Sequence, residues 1–422
     1  MKFENNLAYA RSLDSKDSLS SFREKFFIPD GPFSGKSLYF TGNSLGLQPK
    51  STREYIEQEL SDWQHFGVEG HFHARNPWMP YHEFVAEKLA RVVGAKTTEV
   101  VAMGSLTANL HLLMVSFYQP SGNRRKILIE ANAFPSDMYA VKSQIKFHGG
   151  DPENDLIILQ LRDGCDTHQT EDILSVIDEN RDELSLIMMG GVNYYSGQAF
   201  DMKEITKKAH SYGIICGFDL AHAAGNLEMN LHDWGVDFAA WCSYKYLNAG
   251  PGGIAGLFVH ENHISDSSLP RFAGWWGNNK ITRFQMLPDF DPMPGADSWQ
   301  LSNPPILQLA ALRASLDIFE EAGMGMLREK SDKLTAFMEY LVEDIPSDRI
   351  KIITPKNPKD RGAQLSIRVF GADKSLFDDL TRSGVMADWR SPDVIRLAPA
   401  PLYNSYEDVF LFCDMLRKLL IN

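Results

Sequence analysis

Between about residue 95 and residue 260, short apolar runs alternate with stretches in which apolar side chains recur every three or four positions. That alternation is the pattern of strands joined by crossover helices in a mostly parallel sheet. The runs 126–130, 156–161, 184–190, 214–220, 238–243 and 254–259 are the predicted strands. Between two of them, Asp201 is a cap-type residue and Gly213 follows the helical stretch, so both ends of one crossover helix are marked. From Pro304 the character changes. Leu309, Leu312, Leu316 and Phe319 stand at helical spacing and Gly323 reads as a stop, predicting a long helix that leaves the core. The tail then offers a strand over 364–370, a helix over 375–382, a strand over 394–398 and a last helix from about 405 to 420. The polar, proline-containing stretch 345–361 reads as a surface connection. The expected fold is therefore α/β, with a large mostly parallel-sheet domain over 69–304. A smaller α+β domain is expected from both chain ends, 1–68 and 305–422.

Composition narrows the class. At 422 residues, 44% hydrophobic and 23% charged, the chain can bury a sizeable core. Its 42 basic against 55 acidic side chains give a net charge of −13, the opposite of a nucleic-acid footprint and unsuited to an anionic membrane. Cys165, Cys216, Cys242 and Cys413 form no CxxC pair, so neither a zinc knuckle nor a redox dithiol is indicated. The first residues carry mixed charge, and no segment approaches about 18 uninterrupted apolar residues. A cytoplasmic protein is expected.

The densest chemistry lies between Gly217 and Gly253. Asp219 closes one apolar run, and Lys245 follows the next, 26 positions later. A pyridoxal phosphate site needs such a pair: a carboxylate facing the pyridinium nitrogen, and an amine that forms a Schiff base with the cofactor aldehyde. Alone, the pair decides little. An Asp at a strand end is commonly a cap, and a Lys is commonly solvated. Gly250, Gly252 and Gly253 are permissive for a turn but occur in many loops.

The strings GFDLAHA (217–223), LHDWGVDFA (231–239), WCSYKYLNAG (241–250) and GGIAGLF (252–258) resemble the kynureninase family. These are pyridoxal phosphate enzymes of the aspartate-aminotransferase fold type (fold type I), within the class V aminotransferase-like group. Further matching strings are YFTGNSLGLQP (39–49), SLTANLHLLM (105–114), AFPSD (133–137), YYSGQ (194–198), LSNPPIL (301–307) and RLAPAPLYNS (396–405), in order along nearly the whole chain. The resemblance implies that Lys245 carries the cofactor as a Schiff base and that Asp219 keeps the pyridine nitrogen protonated. It places His222 near Asp219 or the ring oxygen. Leu106 and Thr107 offer amides to the phosphate at a helix N-terminus. Tyr244 adds a hydroxyl, while Trp275 and Asn303 reach the phosphate from the other subunit of a homodimer. Phe134, Pro135, Ser136 and Asp137 match a string whose aromatic ring stacks on the pyridine and whose polar residues hold it. Where many members carry a hydroxyl residue, this chain has Gly190, so only a backbone contact transfers.

For the substrate, the resemblance assigns Arg396 to the α-carboxylate, a role suited to a bidentate guanidinium. It assigns Ser44, His71, Trp276 and Asn303 to the aryl pocket. The implied reaction is hydrolysis of the Cβ–Cγ bond of L-kynurenine or 3-hydroxy-L-kynurenine, giving anthranilate or 3-hydroxyanthranilate plus L-alanine, in tryptophan degradation or NAD biosynthesis. Lys245 moves the Cα proton, and Tyr244 acts in later proton transfers. No metal is required. The alternatives are an aminotransferase or cysteine desulfurase of the same fold type, or a non-enzymatic scaffold. A scaffold has no use for Lys245 and Asp219 together, and Cys242 lies inside a strand-like run rather than on a mobile loop.

Overall fold

The computed structural model describes residues 3–32, 35–266 and 268–421. Its main sheet has seven strands in the order Val100–Ala102, Ala255–Val259, Phe238–Cys242, Ile215–Asp219, Leu184–Gly190, Lys126–Glu130 and Leu156–Leu159. All neighbouring pairs are parallel except those made by Ala255–Val259, which runs against both its neighbours. All six predicted strands are present, and Val100–Ala102 is an additional one.

The strands read as continuous apolar runs because both faces of the sheet are covered. Alternate side chains enter separate cores. Val101, Ile127, Ile129, Leu186, Met188, Phe238 and Leu257 pack on one side with the helices Leu106–Phe117 and Pro135–Phe147. Leu128, Ile187, Met189, Phe218, Ala239, Trp241 and Phe258 pack on the other, with Met202–His210, Glu83–Val93 and Ile306–Ala322. Full burial of each large apolar side chain contributes roughly 1.5–3 kcal/mol. The expected crossover helix is Met202–His210, whose N-cap Asp201 accepts the Glu204 amide.

The smaller sheet is antiparallel, in the order Asp388–Arg390, Val394–Leu397, Leu365–Val369 and Ile350–Ile352. Its own core includes Leu334, Phe337 and Leu341 of the helix Met324–Glu343 and Val409, Phe412 and Leu416 of Tyr406–Ile421, joined by Ala10, Leu38 and Phe40 from the N-terminal stretch. Two expectations change here. Gly323 stops one helix but immediately precedes a second, Met324–Glu343. The stretch 345–361 is not merely a surface connection: it supplies the edge strand Ile350–Ile352, and Arg361, 1% exposed, is buried against Glu339 at 2.7 Å.

The turn after Leu184–Gly190 ties the two sheets together. Gln364 donates to the Tyr194 carbonyl, Ser366 to the Tyr195 carbonyl and Thr354 to the Ser196 carbonyl. This seam fixes the smaller sheet over the carboxyl ends of the parallel strands, where α/β sheets bind ligands.

Candidate active site

A cavity of about 450 Å³ opens at that seam. Its floor is built where three adjacent parallel strands end: Asp219 on Ile215–Asp219, Gly190 on Leu184–Gly190, and Glu130 on Lys126–Glu130. The buried Asp219 carboxylate accepts the Ala221 amide at 2.7 Å. Asp137, in the first turn of Pro135–Phe147, brings a second buried carboxyl against it. Glu130 brings a third, accepting the Gly190 amide at 3.2 Å.

Removing three acids from water in one place disfavours their charge. Burial pushes the Glu130 carboxyl up to about 7. Burial, and then the negative charge of Asp219, pushes Asp137 well above the usual carboxylate range. Asp219 is also raised by burial, against the opposing pull of the Lys245 ammonium and the Ala221 amide. One oxygen of Asp137 is buried without a hydrogen-bond partner. Such a corner lacks a cationic N–H donor, and a pyridinium nitrogen is one.

Lys245 sits in the turn that follows the strand Phe238–Cys242. The turn is closed by the Ala249 amide on the Ser243 carbonyl at 3.0 Å, with Asn248 in the left-handed region at φ +52°. Lys245 Nζ lies 3.0 Å from His222 Nε2 and 5.9 Å from the centre of the Phe134 ring. Burial first, then the nearby Lys245, holds His222 well below its ordinary pKa, so its neutral ring accepts a hydrogen bond from the ammonium. The Phe134 ring is 44% exposed and packs edge-on to Tyr194 at 5.2 Å, leaving a flat plate toward the cavity.

At the other end of the cavity the helix Leu106–Phe117 begins. Its N-cap Ser105 makes no side-chain cap bond, so the first-turn amides remain available to an anion. Thr107 and Ser136 hydroxyls meet there at 2.9 Å, and Tyr244 also lines the space. Anion donors at one end, unsatisfied carboxyls at the other, an aromatic plate and an amine between them fit pyridoxal phosphate.

The facing wall carries Ser44, Arg396, and three residues that the sequence reading did not single out: Asn43, Tyr194 and Arg390. Asn43 donates to Gln364 at 2.8 Å, and its own carbonyl oxygen is buried without a partner. Glu130 was also missed, although the signal that selected Asp219, an acid closing an apolar strand, applies to it equally.

The cavity thus gathers Lys245, Asp219, His222, Tyr244, Leu106, Thr107, Phe134, Ser136, Asp137, Gly190, Ser44 and Arg396. Gly190 lines it, but its amide is turned to Glu130 rather than left free for a ligand. Other sequence-predicted residues lie outside the lining. Pro135 is exposed at the first position of its helix. His71 bonds the Val68 carbonyl at 2.9 Å in the short helix Gly70–His73. Asn303 is exposed, as is Trp275, at 41%. Trp276 is 1% exposed beneath the Arg283 guanidinium, 4.4 Å from its ring centre.

Among the cysteines, Cys216, Cys242 and Cys413 are buried, and none of the four lines the cavity. No helix among the described residues is long and apolar enough to cross a membrane.

Comparison with known proteins bears on the fold and the family. Solved structures with the same fold include a cysteine desulfurase of Escherichia coli, at TM-score 0.77 and 16% identity, covering 96% of this chain and 98% of that one. They also include a C-DES mutant with glycine covalently linked to its PLP cofactor, at TM-score 0.78 and 16% identity, covering 90% of this chain and 96% of that one. At that identity they establish the fold alone. Residues 327–416 match the family model described as the kynureninase C-terminal domain. The kynureninase of Koribacter versatilis is 56% identical over 97% of both chains, and that of Myxococcus xanthus 55% identical over 98% of this chain and 97% of its own. A kynureninase of Nematostella vectensis is 49% identical over 97% of this chain and 93% of its own. With identity of this order along almost the entire length, the chain belongs to the kynureninase family.

Proposed function

We propose that this chain is a pyridoxal phosphate-dependent hydrolase that cleaves the Cβ–Cγ bond of L-kynurenine or 3-hydroxy-L-kynurenine, releasing anthranilate or 3-hydroxyanthranilate and L-alanine. The observation that carries the reading is one cavity in which Lys245, the Asp219–Asp137 carboxyls and the Arg396 guanidinium converge. Tryptophan degradation or NAD biosynthesis is the setting in which such a reaction serves.

When bound, the cofactor supplies an aldehyde for an amine and a protonated ring that accepts the electron pair left on substrate carbon. The chain's residues do the rest. Asp219 and Asp137 would hold the proton of the ring nitrogen, and Phe134 would lie against the ring. Leu106 and Thr107 amides, with the Tyr244 hydroxyl, would hold the phosphate.

Arg396 orients the substrate through its α-carboxylate, and Ser44 borders the side-chain region. Lys245 Nζ is placed to remove the Cα proton, with neutral His222 at 3.0 Å to accept a hydrogen bond from the resulting ammonium. Water adds to the γ-carbonyl, and the hydrate's C–C bond breaks. Burial raises the Tyr244 phenol well above its usual pKa, keeping it protonated as a donor for the later transfers.

The same reading extends to assembly and location. It comprises a large domain over 69–304, a small one from 1–68 and 305–422, a homodimer whose partner supplies Trp275 and Asn303, and a cytoplasmic setting. His71 and Trp276 belong to the aryl pocket in this reading, which requires the partner or a local rearrangement to bring them in.

The test is purified protein with pyridoxal phosphate, given each kynurenine separately, with alanine and aryl acid measured. Release of both products in equal amounts is expected. Transfer of the amino group to the cofactor without aryl acid would favour an aminotransferase instead.

A further inference from the structure

The carboxylate-binding wall holds more charge than one carboxylate needs. Arg390 and Arg396 both line the cavity, and both guanidiniums pack on the Tyr194 ring, at 5.8 and 5.7 Å from its centre. One acid stands between them. Asp388 is the cross-strand partner of Arg396 in the antiparallel pair Asp388–Arg390 and Val394–Leu397, and Arg390 lies two residues on, on the same face. A single oxygen, Asp388 Oδ2, accepts from Nη2 of Arg390 at 3.0 Å and from Nη2 of Arg396. Arg396 also donates through Nη1 to the Tyr194 carbonyl at 2.6 Å. The Nε atoms of both arginines are buried without a partner. Arg396 is 2% exposed and Asp388 15%, so this pair meets with little water between its charges, while Arg390 is 38% exposed.

The charge count of this wall follows: two guanidiniums and one carboxylate leave it one positive charge. A ligand bearing one carboxylate neutralises it. A ligand bearing two brings an excess negative charge into a site where Asp388 already binds both arginines. We propose that Asp388 is a specificity-determining residue: by holding Arg390 and one arm of Arg396, it matches the wall to amino acids with a single carboxylate and turns away those with an anionic side chain. Discrimination of this kind works through repulsion as much as through attraction. The inference rests on the reading of Arg396 as the α-carboxylate clamp.

The experiment measures binding of L-alanine and L-aspartate to the cofactor-loaded protein by titrating the absorbance of the bound cofactor at constant ionic strength. Unaltered protein should bind L-aspartate at least tenfold more weakly than L-alanine. Asp388→Asn, which leaves two positive charges, should shift the ratio at least tenfold toward L-aspartate. Arg390→Gln, which leaves none, should weaken L-alanine at least fivefold. The double variant Asp388→Asn with Arg390→Gln restores a single positive charge and should return the ratio toward the original.

That restoration is what a merely structural role for Asp388 would not produce. If Asp388→Asn alone fails to fold, Arg390→Gln and the double variant decide the matter. An unchanged ratio in folded Asp388→Asn, unchanged L-alanine affinity in Arg390→Gln, or a double variant that keeps the shifted ratio overturns the proposal. Arg396→Gln separates the two readings. If it leaves L-alanine binding untouched, the clamp assignment itself fails, whereas weakened binding there with an unmoved Asp388→Asn ratio removes only this inference.

Discussion

In the proposed mechanism Lys245 carries the chemistry, and its half-buried amine has two close neighbours. His222 accepts from Nζ at 3.0 Å, and the Asp219 charge lies close enough for the ammonium to draw that carboxyl's pKa downward. Lys245→Ala should cost on the order of a thousandfold or more in kcat, and should abolish the absorbance of covalently attached cofactor while the fold persists. The check is the cofactor spectrum of the purified variant before and after borohydride, which fixes a Schiff base only where a lysine has formed one.

Glu130 makes a different prediction. Its pKa in the folded chain, pushed up to about 7, exceeds the ordinary 4.5. Between those values the folded state keeps a proton that the unfolded chain has released, so stability from this group is full below about 4.5 and falls as pH rises toward 7. The loss is on the order of 3 kcal/mol. Glu130→Gln keeps an acceptor for the Gly190 amide and cannot ionise. Cofactor-free Glu130→Gln should therefore gain stability over the unaltered protein as pH rises from 5 to 7.5, which urea denaturation at the two pH values will show. An equal difference at both would mean that Glu130 titrates normally.

At the scale of elements, the Lys245 turn rests against the N-terminal stretch. Gly46 donates its amide to the Tyr244 carbonyl at 2.8 Å. A Cβ on Gly46 would come 2.3 Å from the Lys245 carbonyl oxygen and 2.2 Å from the Asn248 side chain. The Lys245 turn would have to move. Gly46→Ala should raise the dissociation constant for pyridoxal phosphate at least tenfold and cost about 1–3 kcal/mol of stability, measured by cofactor titration and thermal unfolding.

The strand that ends in Asp219 and the strand that leads to the Lys245 turn were legible in the sequence because a two-sided parallel sheet demands unbroken apolar runs, with acids and amines at or beyond their ends. Val100–Ala102 was not, since three residues are too few to make a pattern. The helix Met324–Glu343 was missed because Gly323 and Gly325 crowd its start and its faces mix charged with apolar residues. Arg390 and Asp388 show what periodicity cannot supply. Each reads as an ordinary surface charge until the antiparallel register sets Asp388 opposite Arg396. Glu130 was within reach, since it ends an apolar strand as Asp219 does, but only the sheet order places the two on either side of Gly190.

At the scale of the whole molecule, three of the sequence-predicted site residues that miss the cavity, Trp275, His71 and Asn303, lie near exposed apolar side chains. The 272–287 segment, which holds Trp275, leaves Phe272 52%, Ile281 83%, Met286 68% and Leu287 56% exposed. Around His71, Val68 is 74% and Phe72 56% exposed, and near Asn303, Leu307 is 40% exposed. In the proposed homodimer these exposed apolar side chains are ones a partner chain would cover. If Asn303 serves the neighbouring chain's site, then Lys245→Ala and Asn303→Ala damage different halves of one shared centre. Each variant alone should be dead or strongly impaired. Mixed by co-expression in equal amounts, half the dimers carry one of each, and in those one centre combines an intact Lys245 with an intact Asn303 from across the interface. Activity should recover to about a quarter of the unaltered level. If both residues serve the same chain's site, every mixed dimer pairs one centre lacking Lys245 with one lacking Asn303, and mixing yields no more than the average of the two parents. Turnover of doubly tagged, affinity-purified mixed dimers distinguishes the two arrangements.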